Sequence, residues 1–265
     1  MVTQPPPRTI FAMPDPMPAR LRPTDATLDT ALRYDAVLEL LRDRWRADAR
    51  VLEIGSGSGG VTEWLEHPVV GVDRAFERTA ERETPFLEPR VGSATDLPVE
   101  DGEFDFVLSL EMLEHLAPSE REPALREMLR ALRPGGRLVV TFPADETGER
   151  LDRWLNGTFL AATGTEHPWV AEHIANGLPR SEQVRQTALA VAGPGATARV
   201  EPHLSPNAFR TLHGLYGVRR WYKLTWPLGL HTRPAVGLVF GALRRNRPTA
   251  GRAYRAILVV DKPAS

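Results

Sequence analysis

The stretch over residues 51–60 constrains the fold of this chain more than any other segment. It reads Val-Leu-Glu-Ile-Gly-Ser-Gly-Ser-Gly-Gly, a short apolar strand followed by a turn that contains four glycines. Glycine adopts positive φ angles and lets a ligand approach the backbone closely. A strand that opens into such a turn before a helix presents N–H groups to a nucleotide-like molecule. The segment therefore predicts an α/β fold with a ligand at this turn.

The glycine spacing alone fits more than one ligand class. Gly55, Gly57 and Gly60 satisfy the G-x-G-x-x-G pattern of dinucleotide binding, in which a helix N-terminus holds a pyrophosphate. Glu53 lies two residues before the first glycine, and a carboxylate beside the turn disfavours an anionic pyrophosphate because like charges repel. A nicotinamide dehydrogenase therefore fits the glycines but not Glu53, whereas a ligand with a positive charge fits both.

Four further strand patterns follow in the order of a parallel α/β sheet. Residues 69–73 are apolar and end in Asp73, eighteen residues after Gly55. A carboxylate about 20 residues after the glycines is expected to bind ribose hydroxyls in Rossmann-like folds. Strand and turn patterns then recur over residues 90–98, 101–110 and 132–142.

Together these segments resemble the core of the class I S-adenosylmethionine (SAM)-dependent methyltransferases over about residues 28–143. Glu53 and the glycines form E-x-G-x-G-x-G, which resembles the first motif of that family. The resemblance implies a Rossmann-like, mostly parallel seven-stranded sheet with helices on both faces and an inserted, mainly helical cap. It also implies SAM as cofactor and transfer of a methyl group to a small-molecule acceptor, with O-methylation favoured.

The resemblance also implies which residues contact the cofactor. The implied contacts to the methionine part of SAM are Glu53, Gly55, Ser56 and Gly57, and the implied contact to the ribose is Asp73. The implied contacts to the adenine are Arg74, Ser93 and Ala94, and the residues implied to close the pocket are Leu110 and Glu111. Many relatives carry an acid or an amide where this chain has Ser93. Asp96 is a candidate substitute, although a turn-forming aspartate explains it equally well.

Residues 111–115, Glu-Met-Leu-Glu-His, follow the fourth predicted strand. In a helix, two carboxylates and an imidazole at positions i, i+3 and i+4 would share a face and form a half-site for a divalent cation. The string resembles the E-x-x-E-H of ubiquinone-pathway O-methyltransferases and of small-RNA 2′-O-methyltransferases, in which it holds a metal. Similar strings occur in relatives without a metal, and we predict none here. If one binds, its candidate ligands are Glu111, Glu114 and His115, with a fourth from His167, His173 or His203.

Two histidines are the candidate catalytic residues, His115 in this string and His173 in the long segment after the fifth strand. An imidazole has an ordinary pKa near neutrality, which suits a general base for a hydroxyl acceptor. A histidine that only packs in the core or lies on the surface is the alternative interpretation. Methyl transfer requires few other catalytic groups from the protein, because SAM carries its own leaving group.

Composition divides the chain into four segments. Residues 1–23 hold seven prolines and predict a disordered arm, 24–143 form the SAM-binding core, 144–204 an inserted cap, and 205–265 the C-terminal completion of the sheet. In the last two segments we predict helices at 150–155, at 168–176, from Ser181, from Pro206 behind an N-cap at Ser205, and at 234–245, and strands at 218–226 and 254–260. The chain has no cysteine and no run of 18 apolar residues, and a cytoplasmic location is the expectation.

Charge is unevenly distributed along the chain. From residue 218 onward there are ten basic residues and one acid, although the net charge of the whole chain is −1. A basic face suits phosphate, nucleic acid or an anionic membrane surface, and pairing with the acidic remainder of the chain is the alternative. Peripheral membrane contact through this segment is therefore a candidate interaction. An RNA 2′-O-methyltransferase with a divalent metal is an alternative function, although the absence of a recognisable RNA-binding module argues against a nucleic-acid partner. A non-catalytic SAM-binding protein is a further alternative.

Overall fold

A computed structural model describes residues 27–57, 60–76, 85–213, 233–245, 248–249 and 251–264. Its strands are β1 (Val51–Ile54), β2 (Val69–Asp73), β3 (Leu87–Val91), β4 (Phe104–Leu110), β5 (Leu132–Pro143), β6 (Thr197–His203) and β7 (Arg255–Asp261). They form one sheet in the order β3-β2-β1-β4-β5-β7-β6. All neighbours are parallel except that β7 runs antiparallel to β5 and β6. The predicted mostly parallel seven-stranded sheet is therefore confirmed.

Helices cover both faces of this sheet, as predicted. They are α1 (Thr27–Leu41), α2 (Pro118–Ala131), α3 (Asp145–Thr163), α4 (Pro168–Asn176), α5 (Ser181–Ala192), α6 (Pro206–Leu212) and α7 (Arg233–Arg245). Among these described helices, none combines the length and apolarity that a membrane span requires.

Alternation along the central strands builds the two apolar layers. In β4 the side chain of Val107 packs in the core that contains α2 and α5, whereas Phe106 and Leu108 pack in the core that contains α1. Successive side chains of a strand point to opposite faces, so a continuous apolar run is buried on both sides. This burial, at about 1.5–3 kcal/mol for each large side chain, holds the strand ends in place.

The order of the strands reverses beside β1, which pairs with β2 on one side and with β4 on the other. In open α/β sheets, ligands bind outside the carboxyl ends of the strands at such a switch point. The glycine turn follows β1 there, and residues 111–115 follow β4. Glu111 has a φ of 56°, and a short 3-10 turn over Leu113–His115 takes the place of the regular helix considered for this string.

Most of the predicted elements after β5 are confirmed. Helices α4 and α5 begin at the predicted residues, and α6 is capped by Ser205, whose side chain accepts a hydrogen bond from the N–H of Ala208. Helix α7 and strand β7 lie within one residue of their predicted positions. The third strand is shifted, since β3 ends at Val91 and residues 92–98 form only turns and a bridge.

The outer strand of the sheet differs from the sequence prediction. The strand predicted at 218–226 lies outside the described residues, as does the arm 1–23. Thr197–His203, placed by sequence within the cap, pairs with β7 as β6. This edge strand carries Arg199, Glu201 and Pro202, and it gives no apolar strand signal because edges tolerate charges and proline. The domain boundaries remain a prediction.

Candidate functional site

The turn after β1 requires its glycines for two different reasons. Gly55, Gly57 and Gly60 all have positive φ angles, of 76°, 54° and 56°. A Cβ atom would lie 2.1 Å from Oε2 of Glu53 at Gly60, and 2.8 Å from Cγ of Met112 at Gly55. At Gly57, in contrast, a Cβ would meet no described atom within 4 Å. Gly55 and Gly60 therefore permit close packing, and Gly57 leaves its backbone open to a ligand.

Glu53 lies beneath this turn with only 1% of its surface exposed. Its Oε2 atom accepts a hydrogen bond from the N–H of Val61 at 2.6 Å, and the Tyr34 hydroxyl donates to its Oε1 atom at 3.3 Å. The Tyr34 ring stacks on Trp64 with 5.6 Å between centroids. Helix α1 thus contributes a wall to the turn, and sequence reasoning missed it because Tyr34 precedes the motif by nineteen residues.

Asp73 joins the end of β2 to the glycine turn. Its Oδ2 atom accepts from the N–H of Gly57 at 2.9 Å, and its Oδ1 atom accepts from the N–H of Arg74 at 2.7 Å. A carboxylate has about four acceptor positions, so both oxygens retain capacity for hydroxyl donors. Asp73 therefore contacts the turn beneath which the carboxylate of Glu53 is buried.

The turn after β3 supplies the remaining predicted contacts. The Ser93 and Thr95 hydroxyl oxygens lie 2.9 Å apart, and Ser93 forms an antiparallel bridge with Asp96. Ser93 and Asp96 are exposed, whereas Ala94 packs against the main core. Leu110 is buried at the end of β4. The structure leaves the side chains of this turn at positions 93 and 96 open to solvent.

Glu111 is bound within a buried ionic cluster. The Arg255 guanidinium donates to its two carboxylate oxygens at 2.8 and 3.1 Å, and the Thr141 hydroxyl donates to Oε1 at 3.1 Å. Arg255 also donates to Oδ2 of Asp29 at 2.9 Å, while Arg33 lies 4.0 Å from Glu111. Burial alone would raise the pKa of Glu111, but the charges of Arg255 and Arg33 outweigh it and lower that pKa. Its carboxylate is therefore ionised and committed to protein partners.

Glu114 and His115 instead approach His173, which α4 carries. One ligand atom from each of these three residues lies within 4.8 Å of the others. Nε2 of His173 is 3.4 Å from Nε2 of His115 and 4.0 Å from Oε1 of Glu114. Glu114 is fully buried, and its oxygens have no hydrogen-bond partner in the described part of the chain. Burial and the charge of Glu111 raise the pKa of Glu114 well above its ordinary value.

The structure does not bring the other two candidate histidines to this cluster. His203 lies against Arg255, with 3.3 Å between its Nδ1 atom and the guanidinium. Burial and the Arg255 charge lower the pKa of His203 to about 4. His167 caps α4 through its own side chain. Of the proposed fourth ligands, only His173 joins Glu114 and His115.

A second layer of polar groups surrounds the two histidines. Nδ1 of His173 lies 3.1 Å from Oδ2 of Asp152, and the Tyr254 hydroxyl donates to Oδ1 of Asp152 at 2.9 Å. Nδ1 of His115 lies 2.8 Å from Oε2 of Glu172. Sequence reasoning missed Asp152, although an acid on the buried face of a predicted helix was an available signal.

Comparison with known proteins places this geometry in context. Residues 52–140 match the family described as a methyltransferase domain. The demethylmenaquinone methyltransferase of Beutenbergia cavernae is 40% identical over 131 residues, which cover 42% of this chain and 54% of that protein. The ubiquinone/menaquinone biosynthesis C-methyltransferase of Pseudomonas fluorescens is 34% identical over 112 residues, covering 36% and 42%. The chain thus matches about half the length of these curated relatives.

A solved structure extends the similarity of fold beyond the matched segment. A SAM-dependent methyltransferase of Thermotoga maritima, described as a possible histamine N-methyltransferase, aligns with a TM-score of 0.54 at 19% identity. The alignment covers 89% of this chain and 92% of that one. At this level of identity the comparison shows a shared fold.

Proposed function

We propose that this chain transfers a methyl group from SAM to a small-molecule acceptor, with an oxygen atom favoured as the acceptor. Residues 52–140 match a methyltransferase domain, and they contribute to a Rossmann-like seven-stranded sheet. One observation carries the proposal. The open glycine turn, bounded by the carboxylates of Glu53 and Asp73, lies at the switch point of the sheet, beside the segment that bears Glu114 and His115. A cofactor site and a cluster of proton-accepting groups therefore adjoin each other.

The residues of the turn fit SAM by charge and by space. Gly57 leaves room in front of its backbone, and the buried carboxylate of Glu53 suits the positive charge of the methionine part. Asp73 retains acceptor capacity for the ribose hydroxyls. Gly55 and Ser56 complete the methionine side. Arg74, Ser93 and Ala94 line the adenine side, and Leu110 and the backbone of Glu111 close the pocket.

At the acceptor side, the chain has to position the reacting group, exclude water and accept a proton. When bound, SAM supplies a methyl group on a sulfonium leaving group, so no nucleophilic side chain is needed. His115 and His173 place ring nitrogens in the same space, and either can act as general base for a hydroxyl. On this side, α4 packs against the turn that carries Glu114 and His115, and its own His173 is buried.

The relatives support methyl transfer more strongly than they support the choice of acceptor atom. One relative is described as a C-methyltransferase and one aligned protein as a possible N-methyltransferase. Oxygen is favoured in our proposal because the two histidines can deprotonate a hydroxyl. A carbon or nitrogen acceptor remains the first variant to test.

An RNA 2′-O-methyltransferase with a metal remains the alternative, and the cluster of Glu114, His115 and His173 favours it. The basic C-terminal segment gives it less support. Arg244 pairs with Asp35, Arg255 is buried, and Lys262 donates to two backbone carbonyls. These bases serve the fold itself, which weakens both the RNA proposal and the proposal of peripheral membrane contact.

Cofactor binding is tested by titrating SAM and S-adenosylhomocysteine into the protein in a calorimeter. We expect binding by the wild type, a loss of at least about 10-fold in affinity for Glu53→Gln and for Asp73→Asn, and little change for the control Asp48→Asn, whose side chain is 82% exposed. NAD is the matched negative ligand. Tight NAD binding without SAM binding would contradict the assignment.

Turnover is tested by incubating the protein with methyl-labelled SAM and either metabolite extracts or total RNA. Labelled small molecules in the first reaction would support the proposal, and the bond formed identifies the acceptor atom. Label only in RNA would overturn it in favour of the alternative. SAM binding with no labelled product in either reaction would indicate a non-catalytic SAM-binding protein.

A further inference from the structure

Asp152 is a buried carboxylate that neither the cofactor site nor the matched family segment includes. It lies on α3, is fully buried, and accepts two hydrogen bonds through different oxygens. One donor is the Tyr254 hydroxyl, and the other is Nδ1 of His173. Burial and the charge of Asp152 raise the pKa of Tyr254 well above its ordinary value, so this phenol is a permanent donor.

These contacts determine which nitrogen of His173 carries the proton. An ionised carboxylate can only accept hydrogen bonds, so the ring nitrogen that faces Asp152 has to be the N–H. In the neutral imidazole the opposite nitrogen, Nε2, is then an unprotonated acceptor. That atom points toward His115 and Glu114, at 3.4 and 4.0 Å from Nε2 and Oε1 respectively.

The same reasoning applies more weakly to His115. Its Nδ1 atom faces Glu172, which directly precedes His173 on α4. The Glu172 side chain is 45% exposed, whereas that of Asp152 is fully buried, so water competes with the first contact and not with the second. The two Nε2 atoms consequently face each other, 3.4 Å apart, and the ring of His173 is held more rigidly.

We propose that Asp152 is a positioning residue that locks His173 in the Nδ1–H tautomer, so that its Nε2 atom accepts the proton of the methyl acceptor. The proposal rests on the function proposed above and restricts its substrates to acceptors that carry an O–H or N–H. Nε2 takes that proton as the oxygen or nitrogen lone pair forms a bond to the methyl carbon. The carbon–sulfur bond breaks, and its electron pair remains on sulfur.

The tautomer can be measured directly, without any acceptor. Long-range nitrogen–proton NMR spectra of the ¹⁵N-labelled full chain distinguish protonated from unprotonated ring nitrogens, and a His173→Gln sample assigns the signals. In the wild type at mildly alkaline pH we expect Nδ1 of His173 to be protonated and Nε2 to be unprotonated. A wild-type His173 in the Nε2–H form would overturn the proposal, and this measurement requires no variant of Asp152.

Asp152→Asn tests the cause of the tautomer. Its amide oxygen can still accept from Tyr254, so its NH₂ group then faces Nδ1 of His173 and requires the opposite tautomer. We expect the tautomer to invert in Asp152→Asn. It should persist in the matched control Tyr254→Phe, which removes a donor and retains the carboxylate. An unchanged tautomer in a folded Asp152→Asn protein would contradict the proposal.

Kinetics separate positioning from general structural support. With an acceptor from the labelling screen, Asp152→Asn should lower kcat by about 10- to 100-fold, with unchanged affinity for S-adenosylhomocysteine. An unchanged kcat in a variant whose tautomer has inverted would overturn the role of Nε2. If no acceptor is methylated, the proposed function fails, while the tautomer measurements still decide the role of Asp152.

Discussion

Replacing Arg255 with methionine tests whether the buried ionic cluster holds the first described helix against the sheet. Methionine retains an unbranched side chain but removes the positive charge, while Arg255 itself is only 1% exposed. The change leaves Asp29 and Glu111, whose side chains are only 17% and 15% exposed, with Arg33 as the nearest remaining guanidinium, 4.0 Å from Glu111. Two largely buried carboxylates would then face each other, with Arg33 and the Thr141 hydroxyl as the remaining partners of Glu111.

The size of the effect follows from the cost of leaving a buried charge unpaired. Removing one partner of a buried ion pair typically destabilises a protein by about 3–5 kcal/mol, which is a large part of an ordinary domain stability of about 5–15 kcal/mol. The pKa of Asp29 gives a free energy of similar magnitude. Burial would raise the pKa of Asp29, but Arg255 and Arg33 lower it from 3.8 to about 2. That shift corresponds to about 2–3 kcal/mol of stability from Asp29 alone.

The sign of the pH dependence provides a second test. Because the folded-state pKa of Asp29 is depressed, its contribution is present above pH 3.8 and is lost as the pH falls through about 2. In Arg255→Met this contribution is absent, and protonation relieves the unpaired carboxylates. The stability difference between wild type and variant should therefore narrow as the pH falls from about 4 to about 2.

Urea denaturation followed by circular dichroism measures both the loss of unfolding free energy and its dependence on pH. At pH 7 we expect Arg255→Met to lose about 3–5 kcal/mol of unfolding free energy. The matched control is Arg244→Met, because the Arg244 side chain is 52% exposed and pairs with Asp35 at 2.8 Å. This half-exposed pair should contribute no more than about 1 kcal/mol. A loss below about 1 kcal/mol for Arg255→Met, or a difference that does not narrow at low pH, would refute the reasoning.

Three further predictions concern the turn, a metal and a helix cap. Gly60→Ala should lower the affinity for S-adenosylhomocysteine by at least about 10-fold in calorimetry, because the added Cβ atom would meet Glu53. The control is Gly157→Ala, whose Cβ atom would meet no described atom within 4 Å. It should leave this affinity unchanged and raise the unfolding free energy by up to about 1 kcal/mol. Methyl transfer should persist in EDTA, and manganese should give no binding heat, because the raised pKa of Glu114 leaves it a poor ligand; restoration of lost activity by manganese would contradict this expectation. Ser205→Ala should cost about 1 kcal/mol in urea denaturation through loss of the α6 cap, and an unchanged midpoint would show that the cap contributes nothing.

The elements that were predicted correctly from the sequence are those that short, local sequence patterns encode. The strand from Val51 to Ile54, its glycines and the acid at Asp73 lie within a short stretch of chain, and each follows from the needs of a turn or a parallel strand. The N-cap at Ser205 and the proline at the first position of α4, Pro168, are likewise local signals. Local patterns therefore sufficed for the first two strands and for the ligand end of the sheet.

The acceptor side could not be derived in the same way. Asp152, His173 and Tyr254 come together from α3, α4 and the start of β7, and no sequence spacing connects them. Glu111 appeared to belong with Glu114 and His115, because all three fit one helical face. The left-handed φ of Glu111 breaks that face, and Arg255, 144 residues later, binds its carboxylate. Long-range pairing of this kind leaves no trace in a local pattern.

The contact between Arg255 and Asp29 spans 226 residues of sequence and has a consequence for how the protein is made. A ribosome delivers helix α1 early and strand β7 late, so the partner of Asp29 is still untranslated when the glycine turn has emerged. Until Arg255 arrives, placing Asp29 and Glu111 side by side is unfavourable, which opposes the apolar packing of α1 against the sheet. Since α1 also carries Tyr34 to Glu53, the wall of the ligand site should close only after β7 has been synthesised. The nascent chain is thereby kept from completing a ligand site before the sheet beneath it is finished.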